Sequence, residues 1–391
     1  MHRTRTLWAF GIILLLLALA SGIFWFRENK VNISQADIAI APLPSENNSL
    51  QGILSATSAE NSPKPPPPPV SMERLKTQGC VADGLLTEYN PDQGEFVSLI
   101  DRSNCYYLHR AIETWREPPD FQVIEKNMAQ IAKTDVVYGM FLAEAISTKN
   151  GYKNEETGHV FDFREMCHND TMNDWGEHTC KPTFSSAEYR DYLKYITRRA
   201  IDLGVQSFTF GQIQLQESSS RNYAPQIVKD IRKYAKEKGV DIVIGAQTGN
   251  ITDAKYLKLF DYIEGGVGID SNGNIESGPC LSRKGNCWAL LWSKTFSEKA
   301  NNVILHLDWT GIMQDDLDVF ARMTAQKRAQ TLKNLYKYFT AKKMGFLMPY
   351  FGVLNDNNSG CYGPKKGFYS PDKAYSCQDE NVIDGILSGK L

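Results

Sequence analysis

The sequence predicts an α/β fold, a (β/α)8 barrel of the TIM type, on three observations. Apolar, strand-like runs alternate with helical patterns through the second half of the chain. The runs are apolar on both faces, as strands of a parallel sheet covered on both sides are. They also keep ending on a carboxylate: Val136–Ala143 runs into Glu144, Phe208–Leu215 into Glu217, Asp261–Ile263 into Glu264 and Val303–Leu307 into Asp308. In a parallel barrel the C-terminal strand ends and the loops after them form the active face. A doubly wound open sheet is the alternative, weakened because neither a G-x-G-x-x-G fingerprint nor a P-loop follows any strand.

The 391 residues divide into three stretches. Residues 1–30 hold Leu7–Phe26, an uncharged run of about 20 residues, enough to cross a bilayer as a helix. It reads as an N-terminal transmembrane anchor with a short cytoplasmic stub. A cleaved signal peptide is the alternative, since Ala18-Leu19-Ala20 precedes Ser21 in an acceptable cleavage pattern. Residues 31–72 form a Pro/Ser-rich linker that ends in five consecutive prolines, 65–69, a semi-rigid spacer. Residues 73–391 are the barrel domain. Either reading of the N-terminus puts this domain outside the cytoplasm, single-pass anchored or secreted.

Within the domain the elements follow in order. Val81–Thr87 reads as a first strand and Glu95–Ile100 as a second strand or its loop. Cys105–Trp115 and Phe121–Lys133 have helical patterns, and Thr134–Ala145 is a buried strand. Ile146–Phe184 is a long irregular region, a length uncommon unless functional. Ser185-x-x-Glu188 is a capping box opening a helix whose Tyr189, Tyr192, Leu193, Ile196 and Ala200 share a face. Strands at Gln206–Leu215, Val240–Ala246, Tyr262–Val267, Val303–Asp308 and Phe346–Phe351 then alternate with helices at Ala224–Lys238, Thr252–Leu259, Cys287–Ala300 and Leu317–Lys343. A short helix near Glu380–Leu387 closes the chain.

All eight cysteines lie beyond the apolar segment, and an even number in an exported chain predicts disulfides. Nearest-neighbour pairing gives 80–105, 167–180, 280–287 and 361–377, each stapling a loop. No C-x-x-C occurs. The net charge of −2, without a long basic run, gives no electrostatic footprint for a nucleic-acid partner.

Glu144, Glu217, Glu264 and Asp308 are therefore the candidate catalytic residues. Gln212, Gln214, Gln247 and His306 lie in the same strands or just beyond. Side chains alternate along a strand, so His306 and Asp308 share a face, whereas Glu217 is one step out of phase with Gln212, Gln214 and Gln216. Two carboxyl groups across a cleft suit glycosidic cleavage, one donating a proton and the other attacking the anomeric carbon or activating water. With the weak first strands counted, Glu217 ends the fourth and Asp308 the seventh.

In that placement the chain resembles the barrel-fold glycoside hydrolases over about residues 130–351, in architecture and without a family-specific motif; Gln216-Glu217 stands where an Asn-Glu pair is often found. The resemblance implies Glu217 as general acid/base and Asp308 as nucleophile or base. Glu144 and Glu264 are reserves. Trp175, Trp309 and Tyr350 join Gln212, Gln214, Gln247 and His306 as sugar-binding residues, flat rings suiting the apolar face of a pyranose. The expected partner is a polysaccharide or glycan, with the membrane engaged through the N-terminal helix, and no cofactor is called for. A non-catalytic glycan- or surface-binding barrel is one alternative. Another is a metal-dependent hydrolase built on the loop 159–178, where His159, Asp162, Glu165, His168, Asp170, Asp174, Glu177 and His178 cluster in sequence.

Overall fold

The structure, a computed structural model, describes residues 67–87, 93–217, 221–275, 291–307, 316–354, 368–373 and 377–390. The chain divides into two units, Met1–Pro63 and Lys64–Leu391. The expected anchor and most of the linker therefore lie outside the described residues; among these, no helix is long and apolar enough to cross a membrane.

Eight parallel stretches of backbone follow one another: β1 (Gly79–Ala82), β2 (Tyr107–Ile112), β3 (Val137–Leu142), β4 (Ser207–Phe210), β5 (Val243–Ala246), β6 (Tyr262–Gly266), β7 (Val303–His306) and β8 in two pieces, Gly345–Phe346 and Met348–Val353. Each pairs with the next in parallel register. The first piece of β8 pairs with β7 and the second with β1, so the series of pairings returns to its start. An antiparallel strand, Phe368–Tyr369, adds to the end of β8. The strand order is the one expected of the barrel.

Two buried layers hold it together. Outside the strands, one apolar core joins sheet and helices. Inside, Val81, Tyr107, Val137, Val243, Tyr262 and Ile304, from six strands, and Leu347, between the two pieces of β8, form a separate cluster with Leu75 of the helix Met72–Thr77. Tyr262 lies across Gly245, where an added Cβ would sit 2.0 Å from its ring, so glycine on β5 is what admits a tyrosine from β6.

Local signals set several helices as expected. Asp120 accepts from the Gln122 and Val123 amides at the start of Phe121–Gln130. Pro225 lies in the first turn of Ala224–Lys238, and Gly239 ends it with φ 70°. The helix Ala187–Asp202 is capped by Ser186 and not by Ser185, and the capping box is not made. Glu188 turns instead to the preceding loop, where its Oε1 accepts the Asp162 amide at 2.8 Å and meets His159 Nε2 at 2.9 Å.

Four assignments are corrected. Cys105–Trp115 contains β2 and not a helix: every residue from Tyr107 to Ile112 is buried, and a short run buried on both faces satisfies a helical template by chance. Glu95–Ile100 belongs to the helix Gln93–Arg102, which buries Phe96, Leu99 and Ile100 at helical spacing. The strand expected over Gln206–Leu215 stops at Phe210 and becomes a short helix, Ile213–Gln216, so strand parity does not govern Gln212, Gln214 and Gln216. Leu317–Lys343 breaks into Asp316–Ala321 and Ala325–Thr340, with Thr324 capping the second.

The region Ile146–Phe184 is not without structure. Ile146–Ser147 pairs with Thr179–Cys180, and Gly151–Lys153 with Val160–Asp162. The Cys167–Cys180 disulfide closes this excursion after β3 as expected. The Cys80–Cys105 disulfide also forms, but it ties β1 to the segment entering β2 and so braces the sheet itself. The other two expected bridges involve residues outside the described set.

Candidate functional site

The C-terminal ends of the strands gather charge in two tiers. The upper tier is built by a bulge in β2. Leu108 stands opposite Tyr138 and Ile112 opposite Met140, so β2 spends two extra residues against β3. Arg110 takes φ 58° there, a conformation uncommon for residues other than glycine. The bulge re-aims its side chain: the guanidinium meets Asp83, just past β1, at 3.0 Å and Glu113 at 2.9 Å, and lies 4.1 Å above the Phe141 ring. Glu113 is further fixed by the Thr114 and Trp115 amides, at 2.9 and 3.0 Å.

Glu144 follows β3 and is 2 % exposed. Its Oε1 accepts from the Gln212 side-chain amide, while Oε2 has no hydrogen-bond partner among the described residues. Gly211 makes room for that carboxyl group, since a Cβ there would lie 2.2 Å from Oε2 and 2.5 Å from Phe141 Cζ. Gln212 itself has φ 31° and ψ 55°, and its amide donates to Gln247 Oε1 at 3.1 Å. Burial pushes the Glu144 carboxyl up to about 7, against the opposing pull of its own backbone amide, Arg110 and Gln212. Near neutral pH the carboxyl is therefore shared between its protonated and ionised forms.

The lower tier lies inside the barrel. Glu264 on β6, His109 on β2 and His306 on β7 are each 1 % exposed or less. Glu264 Oε2 is 2.6 Å from His109 Nε2 and 3.8 Å from His306 Nε2. Below them Tyr107, Tyr262, Ser207 and Thr209 exchange hydroxyl hydrogen bonds of 2.7 to 3.1 Å. Burial works to raise the Glu264 carboxyl, but His109, His306 and Arg110 outweigh it and hold it at about 2. Burial lowers the His109 imidazole, outweighing the attraction of Glu264.

The remaining expected residues separate. Glu217 is not at the site: its carboxylate accepts the Tyr223 and Ala224 amides, both at 2.9 Å, and the Tyr256 hydroxyl at 3.0 Å, capping the helix Ala224–Lys238. Its out-of-phase position is explained by that duty, which helix starts commonly give to carboxylates. Tyr350 is buried and its hydroxyl donates to Leu99 O at 3.3 Å, which commits it to the core beside the helix Gln93–Arg102. Gln214 packs against Gly249, and Trp175 stacks edge-on with Trp115 at 5.1 Å in the loop after β3. Asp308 and Trp309 lie outside the described residues.

The polar loop 159–178 does not converge. His159 is paired with Glu188 and His178 with its neighbour Glu177. Among the described residues the one group of three metal-ligating side chains is His109, Glu264 and His306. Asp83, Arg110, Glu113 and His109 were not singled out from sequence. The adjacent His109 and Arg110 within the otherwise apolar run Tyr106–Ile112 are the signal that could have found those two.

No protein family's profile and no curated protein matches the sequence. Solved structures do. The GH27 β-L-arabinopyranosidase of Geobacillus stearothermophilus matches at 10% identity over 49% of this chain and 54% of that one, TM-score 0.31. The cyclic α-maltosyl-(1→6)-maltose hydrolase of Arthrobacter globiformis matches at 12% identity over 80% of both chains, TM-score 0.39. The ribulose-1,5-bisphosphate carboxylase/oxygenase of Pyrococcus horikoshii matches at 8% identity over 81% of this chain and 59% of that one, TM-score 0.37. The chain thus spans about half the length of the first of these enzymes.

Proposed function

We propose that this chain is an extracytoplasmic glycoside hydrolase acting on a polysaccharide, tethered through residues 1–30, with Glu144 as general acid. One observation carries the reading. Glu144 is buried at a strand end, its carboxyl raised by burial to about 7, with one oxygen held by Gln212 and the other without a hydrogen-bond partner among the described residues. A general acid works best with its pKa near the operating pH, and a raised carboxyl is what protonation of a glycosidic oxygen requires.

The second carboxylate is Asp308, two residues past His306 at the end of β7 in sequence. Gln212 and Gln247 orient Glu144 and border the place a sugar would occupy. The ion-paired Asp83–Arg110–Glu113 array gives this rim a fixed electrostatic setting. The acid/base role expected of Glu217 passes to Glu144, because the Glu217 carboxylate already caps a helix.

The test is the full chain assayed against a glycan panel beside Glu144→Gln and Asp308→Asn. Hydrolysis lost in both variants with glycan binding retained supports the reading. Binding without hydrolysis by the unaltered protein overturns it in favour of a non-catalytic binding barrel, and full activity in Glu144→Gln removes Glu144 from the role.

A further inference from the structure

We propose that the interior of the barrel binds one divalent transition-metal ion of the zinc class through His109 Nε2, His306 Nε2 and the Glu264 carboxylate. This is a site separate from the Glu144 rim, and the proposal stands whether or not the rim cleaves glycans.

The donor atoms come from β2, β6 and β7 and lie within 4.8 Å of one another. All three residues are buried, so the cluster is not an incidental meeting of surface groups. A buried carboxylate ordinarily collects hydrogen bonds, because leaving it without them is costly. Yet Glu264 Oε1 has no hydrogen-bond partner among the described residues, and Oε2 meets only the two imidazoles, His109 Nε2 at 2.6 Å and His306 Nε2 at 3.8 Å. The donor atoms of the three groups thus converge on one buried place.

The surroundings of His109 match a ligating imidazole. Its Nδ1 is 2.8 Å from the Tyr107 hydroxyl, which is itself held by Ser207 at 3.0 Å and Tyr262 at 3.1 Å. A histidine that ligates through Nε2 presents Nδ1–H to an outer acceptor that fixes the ring. Tyr107 can accept that proton and pass its own hydroxyl hydrogen to Ser207 or Tyr262. Two imidazoles and a carboxylate without a thiolate suit Zn²⁺, Fe²⁺ or Co²⁺ and disfavour Cu⁺. Tetrahedral ligands about 2.1 Å from zinc lie about 3.4 Å apart. The 3.8 Å between Glu264 and His306 is already near that value, and the 2.6 Å to His109 opens by a small swing of the Glu264 side chain.

The test uses the full chain, stripped with chelator and titrated with Zn²⁺. We expect one ion per chain, and zinc-edge X-ray absorption of the loaded protein showing two imidazoles. Tyr107→Phe should weaken zinc about tenfold, a loss expected of an outer partner to a ligand. His159→Gln/His178→Gln should leave binding unchanged. The proposal is overturned if Zn²⁺ and Co²⁺ both fail to bind stoichiometrically, if the absorption spectrum lacks imidazole, or if His109→Gln/His306→Gln binds as well as the unaltered chain. Should that double variant misfold by circular dichroism, the spectrum of the unaltered protein decides alone.

Discussion

Gln212 donates its side-chain amide to Glu144 from a backbone held in the left-handed region, φ 31° and ψ 55°. Non-glycine residues occupy that region at a cost of order 1–3 kcal/mol, and such positions cluster at functional sites. The turn between β4 and Ile213–Gln216 thus carries strain at the point where it grips the candidate acid. Gln247 from the end of β5 secures the same turn by accepting the Gln212 amide.

Gln212→Leu removes a donor that stabilises the charged form of Glu144, so the carboxyl rises above about 7. Activity that depends on protonated Glu144 falls as pH rises through its pKa. The basic limb of the rate profile should therefore move to higher pH in this variant, which a kcat/KM series across pH reads directly.

Glu144→Gln should lower hydrolysis by about 10²–10⁴-fold, the usual contribution of a positioned acid. The same variant tests the stability linkage. The folded-state value of about 7 lies above the ordinary 4.5, so the protonated carboxyl stabilises the fold fully below about pH 4.5. That stabilisation, on the order of 3 kcal/mol, is lost as pH rises to about 7. Denaturant midpoints for Glu144→Gln should be flatter over this interval than those of the unaltered chain.

Gly211→Ala places a Cβ 2.2 Å from Glu144 Oε2 and 2.5 Å from the Phe141 ring. Overpacking of this kind costs about 1–3 kcal/mol. The variant should melt earlier and lose activity together, because relief of the clash displaces the acid.

Glu217→Ala should cost about 1 kcal/mol of stability, the usual value of a lost helix cap, and leave kcat within a few-fold. Tyr256→Phe, which removes one of three donors to the same carboxylate, should cost less. A collapse of kcat at unchanged stability in Glu217→Ala would return this residue to the chemistry.

Cys167→Ser/Cys180→Ser opens a loop of 13 residues' separation. Chain-entropy reasoning puts the loss near 3 kcal/mol. Thermal unfolding should show it, and any effect on activity would report how far the excursion after β3 supports the rim.

Legibility followed the physics of each signal. Helix stops such as Gly239 and caps such as Asp120 act within a few residues, so they were readable in place. The strands of β5, β6 and β7 were readable because doubly buried strands are apolar throughout. β2 was hidden because His109 and Arg110 interrupt its apolar run, leaving Tyr107–Ile112 to fit a helical period equally well. Glu217 ends an apolar run as Glu144 does, and sequence alone could not separate a helix cap from a buried acid; the distinction lies in whether a following helix offers its amides.

From its residues alone this chain determined a series of parallel strands with acids at their C-terminal ends, because burial on two faces and local turn chemistry are written over short stretches. Only the tertiary structure decided which acids meet which partners. The β2 bulge that turns Arg110 toward Asp83, the Gly211–Gln212 turn that reaches Glu144, and the pairing order that brings His109 of β2 beside Glu264 of β6 are properties of register and closure. They depend on segments distant in sequence, and no local pattern encodes them.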